Sequence, residues 1–158
     1  MQTFYPYEDI NKTVKCLDNK RLGKQRVETI QIALCLLVKE SRWKNHPAVK
    51  MWKGYEKYLV EIYLYNIMNE WKLRGYKNTK CEEHYNNLSH IVKDSRLQYP
   101  HWLGNEQFHN SHKSNLLRKF PEHYFKFNWN ITNDLSYIWP QLKNSSEFIY
   151  ILNKGIRR

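Results

Sequence analysis

Between residues 20 and 40 the polar and apolar positions keep a helical spacing but change face. Arg21, Lys24, Gln25 and Glu28 recur at i, i+3, i+4 and i+7, which places them on one side of a helix. Val27, Ile30, Leu34 and Leu37 fall roughly opposite, on the side expected to enter a core. One turn later Ile32, Cys35 and Leu36 make the formerly charged side apolar too. The pattern predicts a helix to about Glu40, buried in its far half and presenting cations and one carboxylate in its near half. Asp18 or Asn19 is its expected cap.

The same reading predicts a short helix over 8–17. Another opens at Pro47 with Asn45 or His46 at its cap. A strong helix follows over 55–74, apolar on nearly every face at its centre and closed by Gly75. Glu61, inside that centre, is expected on an exposed strip. A more polar helix over 78–94, a loop over 95–104, a helix over 105–119 and a short turn at Pro121 complete the pattern. No run alternates with the period of a strand over any length, so the expected class is all-α, with about five or six helices in one domain. That domain is expected to span residues 1–140, with a basic extension over 141–158.

Composition turns this helical domain toward an anionic partner. The formal charge of +11 exceeds what solubility requires and points to nucleic acid first, an anionic membrane surface second. No apolar run reaches the roughly 20 residues of a spanning helix, and the opening Met1-Gln2-Thr3-Phe4-Tyr5-Pro6 lacks the regions of a signal peptide. Cys16, Cys35 and Cys81 are odd in number and widely spaced, which argues against a disulfide framework or zinc finger. The expected setting is an intracellular, reducing compartment: cytoplasm or nucleus, including that of a virus-infected host. Six Trp, twelve Tyr and six Phe are interleaved with Lys and Arg, so most build the core and a few are free to stack on bases. The abundance of Asn, Lys, Ile and Tyr also fits an AT-rich genome.

A second informative stretch runs from Trp102 to Lys119. Ser111, Ser114, Asn115 and Arg118 form a stripe of short polar groups ending in a cation, suited to close approach to a phosphate backbone. His109 and His112 share another face, and with His101 and His123 they invite a metal reading. No Cys or carboxylate completes a metal-ligand spacing, so contacts in a polar pocket or to phosphate are favoured. Trp102 reads either as a stacking platform or as a loop anchor. Phosphate-binding glycine loops and the GxSxG elbow are absent from the sequence, which removes the usual support for nucleotide cofactors and hydrolase chemistry.

Several blocks resemble a known family. They are the opening Met1-Gln2-Thr3-Phe4-Tyr5-Pro6-Tyr7, the run Leu17-Asp18-x-Lys20-Arg21-Leu22-Gly23-Lys24-Gln25-Arg26-Val27-Glu28, and Asn45-His46-Pro47-Ala48-Val49-x-Met51-Trp52. Trp102-Leu103-Gly104, Ser111-His112-x-Ser114 and Arg118-Lys119-x-Pro121-Glu122-His123-Tyr124 belong with them. The chain resembles the small bacterial and viral proteins grouped with the pyrimidine-dimer DNA glycosylases of the endonuclease V type. The resemblance implies an all-α fold that excises a base from duplex DNA and cleaves the strand at the abasic site. In that chemistry an amine attacks the sugar C1′, a carboxylate stabilises the cationic sugar, arginines hold phosphates and a nucleotide is flipped out.

Carried onto this sequence, Glu28 is the expected carboxylate, with Met1 or Lys24 as the amine and Lys113 as a further candidate. Arg21, Arg26, His46, Trp102, His109, His112, Lys113, Asn115 and Arg118 are the expected DNA contacts. The expected partner is double-stranded DNA, bound by a monomer without metal, small-molecule cofactor or membrane. Two departures from the phage-type pattern stand out. Residue 2 is Gln rather than a small residue exposed by methionine removal. In addition, Arg26 is separated by Val27 from Glu28 instead of adjoining its carboxylate. Two other functions fit the same residues: a non-catalytic, basic nucleic-acid-binding protein, and a metal-dependent nuclease built on the histidines.

Overall fold

The computed structural model describes residues 1–39, 41–143 and 147–152. The fold is all-α, with a terminal strand pair. Helix α1 (Ile10–Cys16) starts where Asp9 accepts the Asn11 and Lys12 amides. Helix α2 (Asn19–Leu37) starts on Asp18, whose carboxylate accepts the Arg21 amide and pairs with the Arg21 guanidinium at 3.3 Å. It closes before the predicted end because the Val38 and Lys39 amides both turn back onto the Leu34 carbonyl. Helix α3 (Pro47–Trp52) is capped by His46, whose Nδ1 accepts the Ala48 amide at 3.0 Å.

The strong central helix is one rod of three parts: α4 (Glu56–Tyr58), a π-helical segment (Leu59–Leu64) and α5 (Tyr65–Leu73). Helix α6 (Thr79–Val92), α7 (Glu106–Lys119) capped by Asn105, and α8 (Pro121–Tyr124) follow. Strands β1 (Ile138–Lys143) and β2 (Glu147–Leu152) pair antiparallel, Ile138 opposite Leu152 and Lys143 opposite Glu147. Residues 140 and 141, the two sides of the expected boundary, both lie inside β1. Residues 144–146 and 153–158 of that extension fall outside the described residues.

Two compact units share the chain. Met1–Thr3 and Asp9–His101 form the first; Phe4–Glu8 and the chain from Trp102 onward form the second. The core of the first is built on α2, the rod and α3, with Leu22, Ile32, Trp52, Leu59, Tyr63 and Leu64 fully buried. The buried side of α2 differs from the expected one. Gln25 and Thr29 are inside and Val27 is 47% exposed, because the Tyr63 hydroxyl donates to Gln25 Oε1 at 2.8 Å and makes a polar residue a core residue. Arg74, after α5, fastens the rod to the opening helices: its guanidinium donates to the Val14, Lys15 and Leu17 carbonyls and to Asn19 Oδ1, while Nε donates to Glu70.

In the second unit the two histidines of α7 hold the backbone of Tyr5 from both sides. The Tyr5 amide donates to His112 Nδ1 at 2.9 Å, and His109 Nδ1 lies 2.6 Å from the Tyr5 carbonyl oxygen. The Gly104 amide donates to His109 Nε2 at 2.9 Å, which fixes the His109 proton on Nδ1. Ser114 Oγ accepts the Leu135 amide, Ser111 Oγ accepts the Ile138 amide, and Asn115 Nδ2 donates to the Leu135 carbonyl. The small polar stripe therefore clasps the returning chain over residues 133–138.

Candidate active site

The chain begins inside the first unit. Met1 and Gln2 are 8% and 7% exposed. The Gln2 amide donates to Glu28 Oε2 at 3.1 Å, a bond that spans 26 positions of sequence and joins the start of the chain to the near half of α2. Gln2 Oε1 turns to accept the Thr3 amide at 2.8 Å, and Thr3 Oγ1 accepts Trp52 Nε1–H at 2.9 Å. These bonds hold the opening backbone against α2 and α3 rather than leaving it frayed, as chain termini usually are. Gln2 Nε2 and Thr29 Oγ1 are buried without a hydrogen-bond partner. Unsatisfied buried groups are few in native proteins and often mark sites completed by a ligand or water.

Behind Glu28 stands Tyr63, on the π-helical segment. Its phenol is pushed well above the ordinary range by burial, then by its nearness to the Glu28 carboxylate and to Cys16. The hydroxyl thus stays protonated and holds Gln25, one turn before Glu28 on α2. Single π turns inside helices recur at functional positions because they re-aim a side chain. Lys24 is exposed on the turn before Glu28, at the i, i+4 spacing that lets the two side chains meet.

The remaining candidates divide between the units. Met1, Arg21, Lys24, Arg26, Glu28 and His46 lie in the first; Trp102, His109, His112, Lys113, Asn115 and Arg118 lie in the second. Arg21 is engaged by Asp18, and His46 caps α3. The Arg26 guanidinium lies 4.2 Å from the centroid of the Trp71 ring, and its Nη1 donates to Asn78 Oδ1 at 2.8 Å. Trp102 is fully buried against Tyr5 and Phe108, in the position of a loop anchor. Burial lowers the pKa of His109, and lowers that of His112 well below its ordinary value; both rings are neutral supports of Tyr5. Lys113 Nζ sits over the Tyr7 and Trp129 rings at 4.8 and 5.9 Å from their centroids. Asn115 and Arg118 bond to each other and to the backbone of residues 133–135.

Gln2, Tyr63, Trp71 and Tyr76 carry no residue-type signal of a site, and Gln25 is legible only as part of the polar side of α2. The only signal for Gln2 was its place in the opening block, and nothing in Leu59–Leu64 announces a π turn. Among the described residues no group of three or more His, Cys, Asp and Glu is placed to hold a metal ion, and no helix is long and apolar enough to cross a membrane.

The sequence model of the family described as pyrimidine dimer DNA glycosylase matches residues 1–83, more than half of the 158-residue chain, and the chain belongs to that family. Membership gives it a DNA-glycosylase role in DNA repair, with DNA as the substrate class. The matched segment contains Met1, Gln2, Arg21, Lys24, Arg26, Glu28 and His46, and ends before Trp102. Comparison with curated proteins and with solved structures gives no match.

Proposed function

We propose that this protein excises damaged pyrimidines from duplex DNA and opens the strand at the resulting abasic site. The observation that carries the reading is the 3.1 Å bond from the Gln2 amide to Glu28 Oε2. Removal of Met1 would turn that nitrogen into the α-amine; with Met1 retained, the α-amine is one residue further along. The amine attacks C1′ of the damaged nucleotide, the bond from C1′ to the base breaks, and the base leaves with the bonding electrons and takes up a proton. The amine, its extra proton lost, then opens the sugar: the C1′–O4′ bond breaks, O4′ takes up a proton, and the resulting iminium loses a C2′ proton so that the 3′ phosphate departs by β-elimination. Glu28 steadies the positive charge on the sugar and shuttles the protons. Lys24 is the alternative amine. Arg21, Lys113 and Arg118 contact phosphates, while Arg26, His46, Trp102, His109, His112 and Asn115 shape the surfaces that do so.

The test is base release and nicking on ultraviolet-irradiated duplex DNA. Wild type is expected to cut the glycosidic bond, read as base freed after photoreversal of the dimer, and to nick, and Glu28→Gln to lose activity by about 10²–10⁴-fold with unchanged DNA affinity. Salt-sensitive binding without nicking, the same in both proteins, would overturn the enzymatic reading in favour of a non-catalytic DNA-binding protein.

A further inference from the structure

Cys81 is set apart from the other two thiols of the chain. Cys16 and Cys35 are buried; Cys16 Sγ donates to the Thr13 carbonyl at 3.2 Å, and Cys35 Sγ accepts the Ser41 hydroxyl at 3.6 Å. Cys81 is half-buried in the first turn of α6, and its sulfur lies 3.7 Å from Arg26 Nη1. The same nitrogen donates to Asn78 Oδ1 at 2.8 Å. Asn78 stands at the cap position of α6, yet its side chain makes no cap bond and is turned to the guanidinium instead.

What this cluster lacks is an acceptor. Asn78 is 4% exposed and its Nδ2 has no hydrogen-bond partner; Arg26 Nε is likewise buried without one. Oδ1 and Nδ2 are bonded to one carbon of Asn78, so the unused amide donor belongs to the same knot of atoms as the Arg26–Cys81 contact. A thiol sulfur is a weak acceptor and a poor match for such donors. The surroundings favour negative charge. Cys81 occupies the positive end of a 14-residue helix, Lys77 and Lys80 are exposed beside it in sequence, and the carboxylate that follows it, Glu82, pairs with Lys72.

We propose that Cys81 is a peroxide-reactive thiol whose sulfenic acid is held by Arg26 and Asn78. As the thiolate, the Cys81 sulfur attacks the hydroxyl oxygen of a hydroperoxide. An S–O bond forms and the O–O bond breaks. The sulfur gives up two electrons, the peroxide is reduced, and the departing oxygen takes up a proton to leave as water or an alcohol. During the transfer negative charge moves from sulfur to the departing oxygen beside a guanidinium that is already fixed in place. The sulfenic oxygen that remains is the acceptor that Arg26 and the Asn78 amide lack. This chemistry needs no DNA and stands apart from the glycosylase reading. It does reach the same helix, since Arg26 lies two positions before Glu28 on α2.

The test exposes wild-type protein, folded and in denaturing urea, to hydrogen peroxide. At intervals the remaining thiols are alkylated and each cysteine peptide is read by mass spectrometry. Cys81 is expected to lose its thiol about tenfold or more faster in the folded protein than in urea, with the product captured by dimedone, while Cys16 and Cys35 are slower folded than unfolded. Arg26→Gln is expected to remove most of the folded-state advantage of Cys81, and Asn78→Ala part of it. A Cys81 that oxidises no faster folded than unfolded is merely exposed, and that result overturns the proposal without need of any variant. So does an Arg26→Gln protein that melts like wild type and oxidises at Cys81 as fast as wild type does.

Discussion

The histidines show how a residue's environment decides its chemistry. In the sequence His101, His109 and His112 invite a ligand. In the fold His109 and His112 spend their nitrogens on the backbone of Tyr5, and His101 Nδ1 lies 2.7 Å from the Tyr55 hydroxyl. Burial lowers the pKa of all three, that of His101 to about 4. The unfolded chain, with histidines near 6.5, takes up protons that the folded chain refuses. Stability is therefore complete above pH 6.5 and falls as the pH drops toward 4. Urea unfolding as a function of pH is expected to show that fall beginning above the carboxylate range. His101→Gln, which keeps an acceptor for Tyr55, is expected to flatten it; a parallel curve for this variant would contradict the assignment. None of this was legible from spacing. Histidines at i and i+3 look alike whether they face a metal, a phosphate or a neighbouring main chain, and only the partner 107 positions away distinguishes the cases.

At the scale of elements the sequence was far more readable, because caps and breakers are local. Asp18, Pro47, Asn105 and Gly75 mark their boundaries with chemistry that requires no tertiary partner. The polar core side of α2 was hidden because Gln25 becomes buried only through Tyr63, and Tyr63 reaches it from a π turn that no residue pattern encodes. Arg74 was hidden for the same reason: it reads as a cation at a helix end, yet it closes α1 by donating to the Val14 and Lys15 carbonyls, to that of Leu17 just beyond the helix, and to Asn19 Oδ1. Lysine cannot reproduce that fork. Arg74→Lys is expected to cost about 2 kcal/mol in urea unfolding, the scale of hydrogen bonds from a charged donor. An unchanged midpoint would show that the lysine finds equivalent partners.

For the whole molecule, charge and family membership agree on the partner. A protein of formal charge +11 that binds duplex DNA through several phosphates releases as many counterions. With about five contacts, affinity is expected to drop by about 10²–10³-fold between 50 and 200 mM salt. Exchanging Lys20 and Lys24 together for Gln is expected to flatten the slope of log K against log salt by about 2. A slope unchanged by that double substitution would place the phosphate track elsewhere. In the sequence the candidate contacts are marked by residue type and by the family resemblance, and neither shows what a side chain already holds. The fold gives several of them prior occupations: Asp18 for Arg21, Trp71 for Arg26, the returning backbone for Asn115 and Arg118. Lys20 and Lys24, both exposed on α2, are the more direct phosphate surface.

The central claim is that an amine at the start of the chain, beside Glu28, forms the covalent link to the sugar. Borohydride trapping on abasic duplex, followed by peptide mass mapping, tests it most directly. The expected result is a stable protein–DNA adduct on the N-terminal peptide, strongly reduced in Glu28→Gln while DNA binding persists. An adduct on Lys24 would move the nucleophile to the next turn of α2, and the absence of any adduct from a protein that binds the same DNA would contradict the account.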